Sequence, residues 1–398
     1  HWLVDYHYGF DFSNLDFVRQ FFFADIGGIS TDFEWDGTDE EGAVVAPGWY
    51  TIRLTVADDL GRSTAAVKLV HVGDLMADSR GTAGGVVYQI NPHAWGRWAV
   101  WQEQHNDNWD IYALEIADSN SLPQAITTNP LNQERPKTDG RYVVWEDRQP
   151  DGGWDIWGQA LGSADDSFAV TSTPDRDERK PAIYWPWVVY QARPANDPSA
   201  PWQLVVANLL AGTSENVDPT DQDQLDAAVY KNRIVWQDFR DAGYGEIYLK
   251  DLNTGTVTRI TDDVDGQYHP SIFGQWIVWA DNRNTQFDLY GYNLLRNAEI
   301  QLTDTPEDET RPSINGKWVV CAEDSAGELN TNLRVLSLAN LAAIQMTNTA
   351  SEKEKPVMAS GKLIWTDSLN DFRQIMIGSI PDLQPVFNNQ NTVAVTEG

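Results

Sequence analysis

The sequence predicts an all-β protein, in which a small β-sandwich is followed by a seven-bladed β-propeller and an extended C-terminal strand. The first observation is a phrase, GQWIVWADNR at residues 274–283, that recurs with small changes along the chain. The second is the spacing of the copies, 42 to 46 residues, which is the length of one four-stranded propeller blade. The third is composition within the copies, where β-branched and aromatic residues dominate and helical periodicity is absent. Four short strands repeated seven times are typical of a propeller.

Each copy has the same internal order. A short strand begins beside a proline, a glycine turn usually follows, and the VVW strand comes next. A strand such as Asp110-Ile111-Tyr112 and a last strand such as Gln301-Leu302-Thr303 complete the unit. The copies are aligned at Trp98, Tyr142, Trp187, Arg233, Trp276, Trp318 and Leu363, and the proline is present in six of the seven: Pro92, Pro136, Pro181, Pro270, Pro312 and Pro356, with Ala227 in the other.

This pattern resembles the TolB-like propeller repeat over residues 84 to 380, and we place the propeller domain at residues 79–380. The resemblance implies a seven-bladed fold. It does not fix a function, because such propellers serve as periplasmic binding platforms, peptidase gates, scaffolds of some polysaccharide lyases and modules of surface proteins.

The repeated tryptophans are predicted to be core residues that fill the space between neighbouring blades. They are Trp101, Trp145, Trp236, Trp279 and Trp365. A sugar-stacking role is the alternative. The acids that follow, such as Asp147 and Asp281, are expected to satisfy backbone groups of the adjoining turns.

The residues just before the prolines are predicted to approach the propeller axis. Five are basic or can become so, in a strongly acidic protein: Arg135, Lys180, His269, Arg311 and Lys355. Two interpretations are open. Local pairing with acidic neighbours is the favoured one, and a ring of cations that binds anions at one end of the channel is the other.

Residues 1–78 are predicted to form a separate domain. The segment FEWDGTDEEGAVVAPGWYTIRLTVADDLGR resembles the Ig-like domain of FlgD-type surface modules, and Tyr50, Ile52, Leu54 and Val56 share one face of a half-buried strand. This implies an Ig-like β-sandwich, which lacks an edge strand because only five strands can be counted. Asp36 and Asp39 are a candidate calcium site, although a solvated turn explains the same residues.

Residues 381–398 read as a linker and a strand-like tail, Thr392, Val393, Ala394, Val395 and Thr396. An unpaired strand and an incomplete sandwich are complementary. We therefore expect self-association, in which the tail is donated to the Ig-like domain of the next copy and a filament forms. The alternative is that the chain is flanked by further domains of a larger surface protein.

Charge and motifs narrow the function classes. The formal charge of −31 argues against a nucleic-acid partner, and no apolar run is long enough to insert in a membrane. Nucleophile-elbow, H-E-x-x-H and Walker motifs are absent, and His93, His105 and His269 belong to different blades.

We expect a nonenzymatic structural protein at the cell surface or outside the cell, with the periplasm as a second location. Carbohydrate or protein binding is the alternative function and polysaccharide lyase the third. No cofactor is required, and calcium is the one candidate.

Overall fold

The computed structural model describes the backbone and side chains of residues 88–378, apart from 106, 119, 164, 242, 264, 325–330, 348–350 and 369–372. It describes the backbone alone of residues 2–8, 16–23, 48–57, 63–72, 77–79, 369, 372 and 379. The chain divides into two compact units, one of His1–Met76 with Ser379–Gly398 and one of Ala77–Gly378. All regular elements in the described ranges are strands, and no helix there is long and apolar enough to cross a membrane.

The N-terminal unit contains one four-stranded antiparallel sheet. Its strands are β1 (Trp2–Tyr8), β2 (Asp16–Phe23), β3 (Gly48–Ala57) and β4 (Ser63–Val72), in the order β2-β1-β3-β4. The candidate calcium ligands Asp36 and Asp39 lie outside the described residues, as does the predicted assembly strand at residues 392–396. The Ig-like identity of this unit therefore stays a prediction.

The second unit is a propeller of seven four-stranded blades, as the repeat predicted, and one parallel bridge between Trp154 and Asp177 joins blades 2 and 3 into a continuous sheet. Blade 1 contains β6 (Gln89–Trp95), β7 (Trp98–His105), β8 (Asn108–Glu115) and β9 (Gln124–Ala125); blade 2 contains β10 (Gln133–Thr138), β11 (Tyr142–Arg148), β12 (Trp154–Ala160) and β13 (Phe168–Ala169). Blade 3 contains β14 (Arg176–Tyr184), β15 (Trp187–Pro194), β16 (Gln203–Asn208) and β17 (Thr213–Asn216); blade 4 contains β18 (Gln224–Tyr230), β19 (Arg233–Asp238), β20 (Glu246–Asp251) and β21 (Val257–Arg259). Blade 5 contains β22 (Gln267–Phe273), β23 (Trp276–Asp281), β24 (Asp288–Asn293) and β25 (Ala298–Gln301); blade 6 contains β26 (Asp308–Asn315), β27 (Trp318–Asp324), β28 (Thr331–Ser337) and β29 (Ala343–Gln345). Blade 7 contains β30 (Lys353–Ala359), β31 (Lys362–Leu369) and β32 (Phe372–Ser379), and its outermost strand is β5 (Ala77–Ser79).

The ring closes where the two ends of the propeller meet. β5 pairs antiparallel with β32, and the inner strand of blade 7 contacts the inner strand of blade 1. The last repeat has no terminal Leu-Thr strand of its own, so the sequence predicts that residues 80–88 or 381–387 supply the closing strand. This prediction is wrong, because the strand that pairs with β32 is Ala77–Ser79, which ends just before the first range. The last repeat also starts at Lys362, one residue before the predicted position, because Lys362 pairs with Ala359 as Trp276 pairs with Phe273.

The repeated tryptophans lie between the blades, as predicted. Each is at most 2% exposed, and each indole Nε1–H donates a hydrogen bond to the carboxylate two residues later. Two of these carboxylates also accept a backbone hydrogen bond in the turn, Asp238 from the amide of Arg240 and Asp281 from the amide of Arg283, each at 3.0 Å. Since each indole is both buried and hydrogen-bonded, none of these five rings is free to stack on a sugar.

Every inner strand contains a bulge at the residue that precedes the proline position. The antiparallel register shifts there in all seven blades. The residues concerned have φ between 48° and 57°: Asn91, Arg135, Lys180, Asp226, His269, Arg311 and Lys355. A left-handed conformation costs a residue with a Cβ about 1–2 kcal/mol. Because all seven blades have this bulge, it is a feature of the propeller fold. The bulge is formed with several different side chains, so the side chain at each of these positions can serve a function.

Candidate functional site: the axial cavity

The seven inner strands surround a cavity of about 490 Å³ on the propeller axis. We call the seven residues with positive φ the mouth ring, since they surround the open end of this cavity: Asn91, Arg135, Lys180, Asp226, His269, Arg311 and Lys355. Side chains two residues further along each strand point to the same face and form a middle ring: His93, Lys137, Ala182, Ala228, Ser271, Ser313 and Val357. The mouth ring is charged, whereas five members of the middle ring are small or apolar.

The other end of the cavity is occupied by Trp95 of blade 1. Its ring lies 5.5 Å from the ring of Phe273 and 6.0 Å from those of Tyr184 and Tyr230, measured between centroids. These three partners belong to blades 3, 4 and 5, on the opposite side of the ring, so the indole lies across the axis. Gly140 makes room for it, because a Cβ at that position would lie 2.9 Å from the Trp95 carbonyl oxygen.

Half of the mouth ring is neutralised by an internal acid. Asp226 lies between Lys180, at 2.7 Å, and the Nδ1 atom of His269, at 3.2 Å. Burial alone would raise the pKa of Asp226, but the hydrogen bond from His269 and the charge of Lys180 outweigh it and hold that pKa well below its usual value. This carboxylate is therefore ionised. In blades 3 to 5 the basic residues of the mouth ring pair with it, which agrees with the favoured interpretation of local pairing.

The other half of the mouth ring has an excess of positive charge. Arg135 itself is paired, since it contacts both carboxylate oxygens of Glu146 at 3.1 and 2.9 Å, and Arg179, which shares that carboxylate at 2.7 Å, also has Asp177 at 3.6 Å. The excess therefore comes from Lys355 and Arg311. Lys355 donates to the Asn91 side-chain oxygen, which is uncharged. Arg311 is exposed and makes no side-chain hydrogen bond or ion pair with any residue that the structure describes.

Below this half, the middle ring holds a lysine and a histidine on adjacent blades. The Lys137 ammonium group has no hydrogen-bond or ion-pair partner among the described residues. Burial lowers the pKa of Lys137 to about 8, although the charge of Asp226 opposes the shift. Burial also lowers the pKa of Lys355 to about 8, and the charges of Arg311 and Lys137 act in the same direction.

His93 is held neutral beside Lys137. Burial and the Lys137 charge hold its pKa well below the usual value. The amide of Thr138 lies 3.1 Å from Nδ1, and because an amide N–H can only donate, Nδ1 is an acceptor and the ring proton is on Nε2. The cavity thus contains a neutral imidazole, two amines with a lowered pKa and two guanidinium groups.

The structure places all five predicted channel residues around the mouth: Arg135, Lys180, His269, Arg311 and Lys355. It divides them into a paired half and an open half, and anion binding by the open half stays a prediction. Sequence reasoning missed Lys137, His93 and Trp95. The signal for them was the period of two along an inner strand, since they stand two and four residues beyond the mouth ring.

The polar groups of the cavity do not suit a metal ion. Lysine and arginine side chains are cations, the Nδ1 atom of His93 already accepts a hydrogen bond, and His269 pairs with Asp226. Within the part of the chain that the structure describes, no group of three or more His, Cys, Asp or Glu side chains could hold a metal ion. We therefore derive no step through a metal, and the calcium candidate stays a prediction.

The comparisons with known proteins confirm the fold. No family model matches the sequence, and no curated protein matches it. Oligogalacturonate lyase in complex with manganese is 11% identical with a TM-score of 0.60, over 78% of this chain and 97% of that one. The β-propeller domain of the Trilobed protease from Pyrococcus furiosus is 11% identical with a TM-score of 0.55, over 74% of this chain and 96% of that one. Puromycin hydrolase is 13% identical with a TM-score of 0.52, over 80% of this chain and 56% of that one.

The expectation of a nonenzymatic protein is wrong. It rested on missing motifs, yet solved structures with this fold include oligogalacturonate lyase and puromycin hydrolase, which are enzymes. Short motifs describe sites carried on one or two consecutive elements. A site in a propeller channel takes one residue from each of several blades, about 45 residues apart, so no local motif records it.

Proposed function

We propose that the axial cavity binds an acidic oligosaccharide. The observation that carries this proposal is the open half of the cavity, where Arg311 and Lys137 have no partner among the described residues although the protein has a net charge of −31. The charges of Arg311 and Lys137 both act on Lys355, and gathering these three basic groups in one cavity costs free energy that a bound anion recovers. Guanidinium groups suit carboxylates in particular, because their fork matches the two carboxylate oxygens.

A sugar is favoured over other anions by the shape and lining of the cavity. Its volume of about 490 Å³ lies within the range of small-molecule sites, roughly 300–1,000 Å³. The small side chains of Ala182, Ala228 and Ser271 leave space opposite the cations, and Trp95 supplies an aromatic surface at the inner end. Oligogalacturonate lyase, whose name describes an acidic saccharide, shares the fold over 97% of its own length.

The same cavity has the groups for cleavage of such a saccharide by β-elimination. In its unprotonated form, the Lys137 amine takes the proton from the carbon beside the carboxylate. The electron pair forms a carbon–carbon double bond, the bond to the glycosidic oxygen breaks, and that oxygen takes the proton from Nε2 of His93. The imidazolate that remains recovers a proton from the Lys137 ammonium group, so both residues return to their starting state. Arg311 neutralises the carboxylate while charge accumulates on it. A pKa of about 8 leaves about one tenth of Lys137 unprotonated at pH 7 and about half at pH 8, far more than a lysine with the usual pKa of about 10.4.

Calorimetric titration with oligogalacturonate tests binding, and ultraviolet absorbance of the unsaturated product tests cleavage. Arg311→Ala and Lys137→Met should each weaken binding at least 10-fold, and Lys137→Met should abolish cleavage. The matched control is Arg296→Ala, which removes the same charge from an exposed turn outside the cavity. Methyl-esterified oligogalacturonate, which lacks the charge, should not bind. Equal binding of polyglutamate would refute the sugar as the preferred ligand, and equal binding by all three variants would refute the site.

Head-to-tail assembly through residues 392–396 and a location outside the cytoplasm remain predictions. The tail lies outside the described residues, so the test has to be made on the protein itself. Deletion of residues 388–398 should convert filaments to monomers in electron micrographs and in light scattering. If the truncated protein assembles as the intact one does, strand donation is wrong.

A further inference from the structure

We infer that the axial cavity takes the end of an acidic chain and not its middle, because Trp95 makes the cavity a blind pocket. This inference rests on the proposed function and adds a specificity to it. A propeller channel that is open at both ends can let a polymer pass through. Here the inner end is blocked by one side chain, which contacts rings from three opposite blades.

The block is built into the packing. Trp95 is half-buried, and its ring is fixed from several sides by the rings of Tyr184, Tyr230 and Phe273, which also contact one another at 4.8 to 5.1 Å. The backbone of blade 2 approaches it closely at Gly140, where a Cβ would lie 3.2 Å from the indole Cδ1 atom. Such a cluster is a poor gate, since moving the indole would break its contacts with all three rings at once.

The charges lie on the path from the mouth to this block. Arg311 belongs to the mouth ring and Lys137 lies two residues deeper on its own strand, which is about 7 Å along a strand. A carboxylate of the terminal residue can therefore reach Lys137 while that of the next residue faces Arg311. An internal residue of a long chain cannot reach Lys137, because both of its neighbours would have to enter a closed pocket together.

The consequence is a requirement for a free chain end. Affinity should rise from one sugar residue to about two or three and then stay constant, since further residues remain outside the mouth. The amount of protein that a sample of polymer binds should be proportional to the number of chains in the sample and not to the number of sugar residues. A groove that binds internal segments would give the opposite result, because each added residue creates another binding register.

The test uses the wild-type protein and oligogalacturonates of defined length from one residue upward, titrated by calorimetry. We expect one protein per chain at every length and a constant dissociation constant beyond about three residues. A second series carries bulky groups coupled to both ends of the chain, and these ligands should bind at least 10-fold more weakly than free chains. Equal binding of the blocked chains, or several proteins on each long chain, would overturn the inference while leaving the proposed function intact. If no oligogalacturonate binds at all, the proposed function fails instead.

Trp95→Ala provides an independent measurement. Removal of the indole should open the inner end, so that a long chain with a free end can pass through the cavity and more than one protein can bind to each long chain, whereas chains blocked at both ends should still bind weakly. Circular dichroism checks that the variant is folded. The length series and the blocked chains need no variant, so the inference is tested even if Trp95→Ala does not fold.

Discussion

The Lys180 Nζ atom lies 2.7 Å from Asp226 Oδ1, so a lysine of blade 3 and an acid of blade 4 neutralise each other at the mouth of the axial cavity. His269 of blade 5 approaches the other carboxylate oxygen at 3.2 Å. Asp226 is the one acid in a mouth ring that otherwise holds five basic residues and Asn91. This single carboxylate therefore sets how much positive charge the mouth presents to a ligand.

Asp226→Asn should strengthen the binding of an acidic oligosaccharide. The substitution keeps the shape of the side chain and frees the charge of Lys180, so the potential at the mouth becomes more positive. We expect a dissociation constant several-fold lower at low salt, with the difference shrinking as salt is added. Calorimetric titration at two salt concentrations measures both effects.

Asp166→Asn is the control for Asp226→Asn, since it makes the same charge change at an exposed turn away from the cavity. It should leave the affinity almost unchanged. If Asp226→Asn binds no better than Asp166→Asn, then the mouth does not act on the ligand through its charge.

Sequence reasoning could reach the blades and the mouth ring because both repeat. A proline at a fixed place in six of seven copies fixes the inner strand, and the residue before it can be read off in each copy. Trp95 and Lys137 do not repeat: the equivalent positions hold Tyr184, Phe273 or Ala182. Trp95 matters because its ring meets rings of blades 3, 4 and 5 across the axis, and Lys137 matters because it shares one cavity with Arg311 and Lys355 of blades 6 and 7. Both are relations between distant blades that no single repeat contains.

The sequence also could not predict which residues of the mouth ring pair with one another. Asp226 is 46 residues from Lys180 and 43 residues from His269, and their contacts depend on the curvature of the ring. The division into a neutral half and a cationic half is decided by which blade holds the one acid. Any account from the sequence therefore ends at a list of basic residues and cannot say which of them are free.

Lys137→Met should stabilise the protein at pH 7. The pKa of Lys137 falls from about 10.5 in the unfolded chain to about 8 in the fold, so the unfolded state binds more protons between these values. The penalty is fully present below pH 8 and disappears as the pH rises towards 10.5. Removing the amine should raise the free energy of unfolding by about 1–3 kcal/mol at pH 7, after allowance for the partial exposure of the side chain.

Urea denaturation at pH 7 and pH 10 checks this prediction. Wild type should gain stability relative to the variant as the pH rises, so the two curves approach each other. Lys317→Met, at an exposed position outside the cavity, should change the free energy of unfolding by less than about 0.5 kcal/mol. A variant less stable than wild type at pH 7 would mean that Lys137 stabilises the fold and is not held for a ligand.

Anion binding should weaken as the pH rises through about 8. Lys137 and Lys355 lose their protons in this range because their pKa values are both about 8, whereas Arg311 keeps its charge. We expect the dissociation constant for oligogalacturonate to increase at least 10-fold between pH 6.5 and pH 9.5. Binding near pH 8.5 should also take up protons, which titrations in buffers of different ionisation enthalpy detect.

Lys355→Arg separates the two lysines in that experiment. Arginine fits the mouth ring, since Arg135 and Arg311 occupy the same repeat position with the same positive φ. The variant should keep tighter binding at pH 9.5 than wild type and take up fewer protons. A wild-type affinity that does not change across this range would show that neither amine contacts the ligand.

Closure of the propeller should depend on the three-residue strand Ala77–Ser79. This strand completes blade 7 by pairing with β32, in the register Met376 to Ser79 and Gly378 to Ala77. Without it, β32 becomes an open edge with unpaired backbone groups, and each lost backbone hydrogen bond costs about 0.5–1.5 kcal/mol.

A chain that begins at residue 80 should therefore unfold at a lower temperature than the full chain and aggregate at high concentration. A chain that begins at residue 73 keeps this strand and removes β1 to β4 of the N-terminal unit, so it is the matched control. Its propeller should unfold at the temperature of the full chain. Calorimetric scans and light scattering on the three proteins decide the outcome: equal unfolding temperatures for the two truncated chains would show that the strand does not hold the ring closed.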